Sequence, residues 1–276
     1  MSPASQAIFD AWSPPVFLTT LVILSGLVYI RGWFAIRKTR PEHFPEWRLW
    51  AFLSGVGTIW LAVGSPMDGF ADALLSAHMV EHILLMSFAP PLMLLGNPSV
   101  PILRGLPRPI TVRVLGPILR SKALRRLGHF LVAPVPAWII WNVIFFGWHV
   151  PAAYNFALYN EHWHDCEHIC FVFGSILFWW PLIRPWPSDA RYPGWFMLPY
   201  LASAGMVSTA LSAFLTFCGY PVYSYYAKHP NAFGISPLTD QITGGAIMWV
   251  VGMVVYLVPA VIVTMKLLEQ ESNPRA

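Results

Sequence analysis

Apolar residues in this chain gather into long runs that short polar segments separate, and these runs define the predicted architecture. An α-helix needs about 20 apolar residues to cross the hydrocarbon core of a bilayer. Unpaired backbone groups are too costly in lipid for open strands, so runs of this length predict helices. We therefore predict one all-α domain over residues 1–276, a seven-transmembrane helical bundle with spans at 15–36, 47–64, 71–95, 130–150, 163–183, 195–217 and 238–265.

The composition agrees with a membrane protein. Hydrophobic residues make up 56% of the chain and charged residues only 11%, and the mean hydropathy of +0.55 lies outside the usual balance of a soluble globular protein. The first span has no basic segment before it and no small-residue cleavage site after it. We expect a retained helix there rather than a removable signal peptide.

The positions of lysine and arginine orient the predicted bundle, because cytoplasmic loops carry the excess of positive charge. When successive loops are assigned to alternate sides, 16 of the 17 Lys and Arg residues fall on one side, and only Lys228 falls on the other. The N-terminus is therefore predicted outside and the C-terminus inside. The basic loops are short and contain no nucleic-acid-reading module, so we expect contact with anionic lipid and no nucleic-acid partner.

The longest loop, residues 96–129, is rich in proline and arginine. Its leucines are spaced among basic residues in a pattern that suits a short helix lying on the cytoplasmic membrane face, namely Leu115, Leu119, Leu124 and Leu127. A simple connector is the alternative that the sequence leaves open.

A repeated motif carries the candidate chemistry. The pattern H-x-x-E-H occurs at His78–His82 in the third span and again at His164–His168 in the fifth span. Two histidines four residues apart lie about 40° apart around a helix, so their imidazoles share one face. Both spans run in the same direction under the predicted topology, which places the two motifs at the same depth near the outer surface.

Other histidines reach the same predicted level. His149 ends the fourth span, which runs outward, and His162 begins the fifth. Ionisable groups inside a membrane are costly and usually mark function. We therefore predict a transition-metal site whose ligands are His78, His82, His149, His164 and His168, and imidazole suits zinc, copper, iron and nickel alike.

Residues near these histidines are candidates for supporting roles. A metal-bound histidine commonly donates its second ring nitrogen to a carboxylate or carbonyl, and Asp240 or Gln241 at the start of the seventh span is predicted to accept that bond. Met86 lies one turn below His82 and offers a thioether that suits cuprous copper, while filling a gap in the core is its alternative role. For Glu81 and Glu167, a site role and a structural pairing stay equally open.

Four motifs, in this order along the chain, carry a family resemblance. The first runs from Ser76 to His82 and continues through Pro90-Pro91 to Gly96-Asn97-Pro98, and the second is Trp148 to Pro151. The third is His164 to His168 followed by Trp179-Trp180-Pro181, and the fourth is Asp240-Gln241 followed by Gly244-Gly245 and Met248-Trp249. Together they resemble the multi-spanning cytochrome c oxidase assembly factor family called CtaG, which is distinct from the single-span copper chaperone of the same name. The resemblance covers nearly the whole chain.

The resemblance implies a multi-pass protein of the bacterial inner (cytoplasmic) membrane that is needed for maturation of a haem-copper terminal oxidase. It implies a non-enzymatic metallochaperone that binds copper at the periplasmic face through the five histidines named above, with the Asp-Gln pair at Asp240 and Gln241. The expected partners are an oxidase subunit that accepts copper and a separate periplasmic protein that donates it.

Two other functions fit parts of the pattern. H-x-x-E-H also occurs in metalloproteases, and a membrane-embedded zinc-dependent hydrolase would use a metal-bound water as its nucleophile. A haem protein with axial histidines from facing helices is the third hypothesis. Metal analysis and a visible spectrum separate the three.

Overall fold

A computed structural model describes residues 2–188 and 192–272, and within these ranges the regular structure is entirely helical. Two of the basic residues that entered the topology prediction, Arg191 and Arg275, lie outside the described residues. The other basic residues of that prediction lie inside them.

The helices of the first half are α1 (Pro3–Ala11), α2 (Val16–Arg37), α3 (Glu46–Val63), α4 (Met67–Ala73), α5 (Leu75–Ile83), α6 (Ala89–Leu95) and α7 (Ser99–Gly105). Those of the second half are α8 (Gly116–Arg120), α9 (Lys122–Leu131), α10 (Pro134–His149), α11 (Pro151–Leu158), α12 (Glu161–Ile183), α13 (Met197–Phe217), α14 (Ser224–Lys228) and α15 (Pro237–Ser272). Short 3-10 turns lie at Pro41–His43 and Gly194–Phe196, and π-helical segments at Leu84–Phe88 and Ile110–Leu115.

Five helical stretches are long and apolar enough to cross a membrane alone: Val16–Arg37, Leu75–Leu95, Glu161–Ile183, Gly194–Phe217 and Pro237–Ser272. Two more spans arise if α3 with α4, bent by 44°, and α9 with α10, bent by 69°, each cross the bilayer once. The described residues therefore contain five to seven candidate spans, and the chain is a multi-pass helical membrane protein.

The helices do not coincide with all the predicted spans. Residues 71–95 contain a break, because Leu74 is extended and separates α4 from α5. Residues 130–150 contain another break, since α9 ends at Leu131 and α10 begins at Pro134, and α15 continues past the span predicted at 238–265 to Ser272. Apolar content alone does not mark a local break inside an apolar run or the end of a helix.

Prolines explain the irregular segment between α5 and α6. Pro90 has no N–H, so the Met86 carbonyl, four residues earlier, has no helical donor there. The intervening segment Leu84–Phe88 is π-helical. The Met86 carbonyl instead accepts hydrogen bonds from the Ser175 hydroxyl and from the Trp179 indole of α12, the latter at 3.3 Å. This backbone-to-side-chain contact fixes the α5–α6 span against α12.

Three loops meet at the end of the bundle far from the repeated motifs. The Trp186 amide donates to the Asn97 side-chain oxygen at 2.9 Å, and the Asn97 amide group donates to the His43 carbonyl at 3.3 Å. The Arg48 guanidinium donates to the Leu95 carbonyl at 2.8 Å. The basic loops that follow α2, α6 and α12 thus lie together, which agrees with their predicted placement on one side of the membrane.

The long loop is helical rather than a simple connector. It contains α7, the π-helical segment Ile110–Leu115, α8 and most of α9. Leu119, Leu124 and Leu127 are exposed, and Leu115 is half-buried. An exposed apolar face among arginines is what contact with a lipid surface requires, and that contact stays a prediction.

The buried core has two parts. The smaller part joins α2, α3 and the loop between them, and its buried residues are Tyr29, Trp33, Ile36, Phe44, Phe52 and Val56. The larger part includes Met79, Ile83, Phe171 and Tyr154 and surrounds the repeated motifs. Most histidines and glutamates of the motifs therefore lie in the packed interior of the bundle, and His164 is half-buried.

Candidate metal centre

Helices α5 and α12 bring the two H-x-x-E-H motifs together in register. The first histidines of the two motifs, His78 and His164, have ring centroids 5.2 Å apart, and the second histidines, His82 and His168, have ring centroids 5.6 Å apart. The pairing of equivalent positions agrees with the prediction that both motifs lie at one depth.

The ligand atoms are close enough for one ion to bind several of them. The Nε2 atoms of His78 and His82 are 2.8 Å apart, a separation that two nitrogens about 2.0 Å from one ion can span. One group of three potential ligands contains His78, His82 and His168, and all its ligand atoms lie within 4.8 Å of one another. A second group that meets the same criterion contains His78, His164 and Glu167.

The glutamates of the motifs face the opposite helix. Glu167 Oε1 of α12 lies 3.6 Å from His82 Nε2 of α5, and Glu81 Oε1 of α5 lies 3.7 Å from His168 Nε2 of α12. Both glutamates are fully buried. This crossed arrangement brings Glu81 and Glu167 into the histidine cluster, a point that the sequence left open.

Many polar atoms in this cluster lack a hydrogen-bond partner among the described residues. They include both carboxylate oxygens of Glu81 and Glu167, Nδ1 of His82, and Nε2 of His149, His164 and His168. Burying polar and charged groups without partners is costly. A metal ion held by the grouped histidines would supply the missing partners, because buried charges in proteins are normally paired or bound to metals.

His149 ends α10 beside the same cluster. Its ring centroid lies 6.0 Å from that of His82, although its ligand atoms belong to neither group of three. Nδ1 of His149 lies 2.7 Å from the Phe145 carbonyl, which can only accept, so this nitrogen carries the proton. Nε2 is then the unprotonated nitrogen and is available as a metal ligand.

Tyr226 supports His78 from α14. Its hydroxyl donates to the Ala71 carbonyl at 3.0 Å and lies 3.3 Å from His78 Nδ1. Burial raises the pKa of the Tyr226 phenol well above its usual range, so the phenol stays protonated. Since its one proton is directed to Ala71, His78 Nδ1 donates to the phenol oxygen, which leaves His78 Nε2 free to bind a metal.

Asp240 and Gln241 are buried, but their hydrogen bonds lead to backbone groups. The Asp240 carboxylate accepts from the amides of Leu75 at 2.6 Å and Ser76 at 3.1 Å. Gln241 accepts from the Val222 amide at 2.6 Å and donates to the carbonyls of Leu215 at 3.3 Å and Tyr220 at 3.1 Å. The hydrogen bonds of Asp240 and Gln241 therefore differ from the direct contact with a histidine that the sequence predicted for one of them.

The observed role of Asp240 follows from the break at Leu74. The first amides of α5 have no helical partner, and a carboxylate satisfies them and interacts favourably with the helix N-terminus. Asp240 thus positions the helix that carries His78 and His82. Met86 is buried in the core, and its backbone carbonyl, rather than its thioether, makes the contacts described above.

We expect Asp240→Ala to leave the protein inserted but to weaken copper retention by about 2 to 30-fold, the equivalent of the roughly 0.5–2 kcal/mol that losing a helix N-terminal cap costs. The cause is loss of the cap that holds α5 in place. Copper affinity is measured by competition with a chelator, and Asp240→Asn is the matched control because its amide oxygen retains one acceptor. An unchanged affinity in Asp240→Ala contradicts the positioning role.

Sequence reasoning missed Tyr226, which carries no motif, because only the fold brings α14 against α5. Cys166 and Cys170 of α12 are half-buried. These thiols lie about 160° around the helix from His168 and so point away from the histidine cluster.

The remaining histidines lie apart from the cluster. His162 is exposed at the start of α12, and exposed His229 contacts the Tyr225 carbonyl at 2.9 Å through Nδ1. His43 stacks on Trp186 at the opposite end of the bundle, with ring centroids 4.9 Å apart. His129 lies on α9. These four serve as controls for the five clustered histidines.

The model of the family described as "Cytochrome c oxidase caa3 assembly factor (Caa3_CtaG)" matches residues 27–270. The matched region contains both H-x-x-E-H motifs, His149, Asp240 and Gln241.

Curated relatives are similar along most of this chain. Uncharacterized proteins of Mycobacterium bovis and Mycobacterium tuberculosis are each 27% identical over 265 residues, which covers 90% of this chain and 38% of theirs. An uncharacterized protein of Mycobacterium leprae is 28% identical over 254 residues, which covers 87% of this chain and 37% of its own. The chain therefore spans less than two fifths of the length of these relatives. No solved structure matches.

Proposed function

The chain belongs to the cytochrome c oxidase caa3 assembly factor family, and on that premise we propose that it binds copper at the histidine cluster and supports copper delivery to a haem-copper terminal oxidase. The observation that carries this proposal is the convergence of five buried or half-buried histidines from three helices, with unpartnered ring nitrogens directed into one place. An assembly factor of a copper enzyme has a direct use for such a site.

The donor set supports copper as the metal. Imidazole nitrogen suits copper as well as zinc, and the affinity of a given nitrogen site is normally highest for copper among first-row divalent ions. The glutamates add negative charge, which offsets the cost of placing a cation in a membrane bundle. Copper is cargo in this proposal, received from a periplasmic donor protein and passed to an oxidase subunit, and the chain itself is not an enzyme.

The deciding measurement is the metal content of the full chain purified in detergent without added metal. Copper at a fixed ratio to protein supports the proposal. Zinc in place of copper supports the alternative of a zinc-dependent hydrolase, in which a buried glutamate activates a metal-bound water. A Soret band in the visible spectrum establishes haem and contradicts both.

The proposed location of the site is the periplasmic face of the inner membrane, with the N-terminus outside and the C-terminus inside. The support is that the basic loops after α2, α6 and α12 lie together at the other end of the bundle, and cytoplasmic loops carry the excess of positive charge.

We expect reporter fusions placed after Arg40 and after Arg126 to report a cytoplasmic location in both cases. Both positions follow basic segments that the positive-inside rule assigns to the cytoplasm. A fusion after Lys228, on α14 at the histidine end, is the matched control and should report the periplasm. A periplasmic signal from either of the first two fusions contradicts this orientation.

A further inference from the structure

Two groups of ligand atoms overlap in the cluster, and they differ in burial. The entry triad consists of His78, His164 and Glu167, and the buried triad consists of His78, His82 and His168. The members of the buried triad are all buried, whereas His164 of the entry triad is half-buried. His164 lies one helical turn from His168 toward the start of α12, and the two ring centroids are 4.2 Å apart.

His78 belongs to both triads. An ion that exchanges His164 for His168, and Glu167 for His82, keeps its bond to His78 throughout. Glu167 is also close to the buried triad, because its Oε1 lies 3.6 Å from His82 Nε2. Movement with a retained ligand avoids the large cost of a bare cation in a low-dielectric interior.

The chemistry of the two triads gives the movement a direction. A carboxylate oxygen is a harder donor than imidazole, and copper prefers imidazole to carboxylate ligands. The entry triad has two nitrogens and one oxygen, and the buried triad has three nitrogens. The ion therefore binds more weakly at entry than in the interior, which is the ordering that permits both entry and retention.

Acidic side chains lie on the two helices that lead to the entry triad. Asp68 and Asp72 lie on α4, which ends just before α5, and Glu161 and Asp165 lie on the first two turns of α12, the helix that carries His164 and Glu167. Clustered negative charge at the mouth of a site raises the local cation concentration and the rate of cation arrival.

We propose that copper enters at the entry triad and moves to the buried triad by ligand exchange around His78, so that the centre has two successive positions for one ion. This inference rests on the proposed copper function and specifies how the ion reaches the interior. The oxidation state of copper does not change in this step, and only metal-ligand bonds form and break. Delivery to an acceptor follows the same path in reverse.

The test separates the rate of loading from the final occupancy. Purified metal-free protein is mixed with the cuprous complex of bicinchoninate, and the loss of that complex with time gives the loading rate. The copper that stays bound after dialysis gives the final occupancy. We expect His164→Ala and Glu167→Gln to retain copper at equilibrium but to load at least about tenfold more slowly than the unchanged chain, by the scale of lost partners at metal sites. His162→Ala, an exposed histidine on the same helix, should load at the unchanged rate.

Wild-type loading rates in both His164→Ala and Glu167→Gln contradict the two-position centre. Loss of copper at equilibrium from His164→Ala, as complete as the loss from His82→Ala, contradicts it as well, because the ligands then form a single shell. Circular dichroism verifies folding, and Glu167→Gln, which preserves side-chain size, decides the matter if His164→Ala is unfolded. In these cases the unchanged chain still binds copper and the proposed function stands, whereas failure of the unchanged chain to bind copper removes both.

Discussion

Replacing His82 or His168 with alanine is expected to abolish stable copper binding. Each variant removes one ligand of the buried triad, where all three histidines are buried and their ligand atoms lie within 4.8 Å of one another. Two imidazole nitrogens of the triad then remain, which are too few ligands to hold the ion in a buried site. The loss of copper affinity should therefore exceed the roughly 10 to 100-fold cost of removing a hydrogen-bond partner of a metal ligand.

The measurement is copper per chain after dialysis, with circular dichroism to show that each variant is folded. His43→Ala and His129→Ala are the matched controls, since His43 stacks on Trp186 far from the cluster and His129 lies on α9. Both controls should retain full copper. If His82→Ala and His168→Ala both retain full copper as well, the convergent histidine site is wrong.

The register of the two motifs was predictable because helical geometry is simple. Spacing of four residues places His78 with His82, and His164 with His168, on one helix face. Two spans that run in the same direction then place equivalent positions at equal depth. These rules place His78 and His164 at one depth, and the packing of α5 against α12 then pairs them.

The orientation of the glutamates was not predictable from spacing. A glutamate that precedes a histidine by one residue points about 100° away from it on its own helix, and only the position of the neighbouring helix decides what it meets. In the structure the crossing of α5 and α12 directs Glu81 to His168 and Glu167 to His82. The packing of α5 against α12 therefore places Glu81 and Glu167 in the cluster, and a single sequence does not specify that packing.

The role of Asp240 was missed for a similar reason. Its position at the start of a span near the histidines fitted a histidine partner, but a helix break at Leu74 created unpaired amides that compete for the same carboxylate. The break lies inside an apolar run, and hydrophobicity gives no sign of it. Asp240 consequently binds the amides of Leu75 and Ser76, and its influence on the metal passes through the position of α5.

The bundle also depends on one very close helix contact. A Cβ atom built at Gly32 of α2 would lie 1.7 Å from the Pro101 carbonyl oxygen of α7, and one built at Gly105 of α7 would lie 1.8 Å from the Val28 carbonyl oxygen of α2. Both obstacles are backbone atoms, which have no rotamer through which to move aside. Small residues at such positions allow helix backbones to approach in the membrane.

Gly32→Ala is therefore expected to destabilise the folded protein by at least the roughly 1–3 kcal/mol that overpacking usually costs, because α2 and α7 must separate to accept the methyl group. Thermal unfolding in detergent measures the effect as a lower transition temperature and a smaller folded yield.

Gly57→Ala is the matched control, since a Cβ at Gly57 of α3 meets no atom within 4 Å. Alanine there should be neutral or slightly stabilising, because it favours helix more than glycine does. Equal stability of the Gly32→Ala and Gly57→Ala proteins would show that α2 and α7 do not pack at the distance described. Copper binding by the Gly32→Ala protein that remains folded should be unchanged, because the histidine cluster lies on α5, α10 and α12 and includes no residue of α2 or α7.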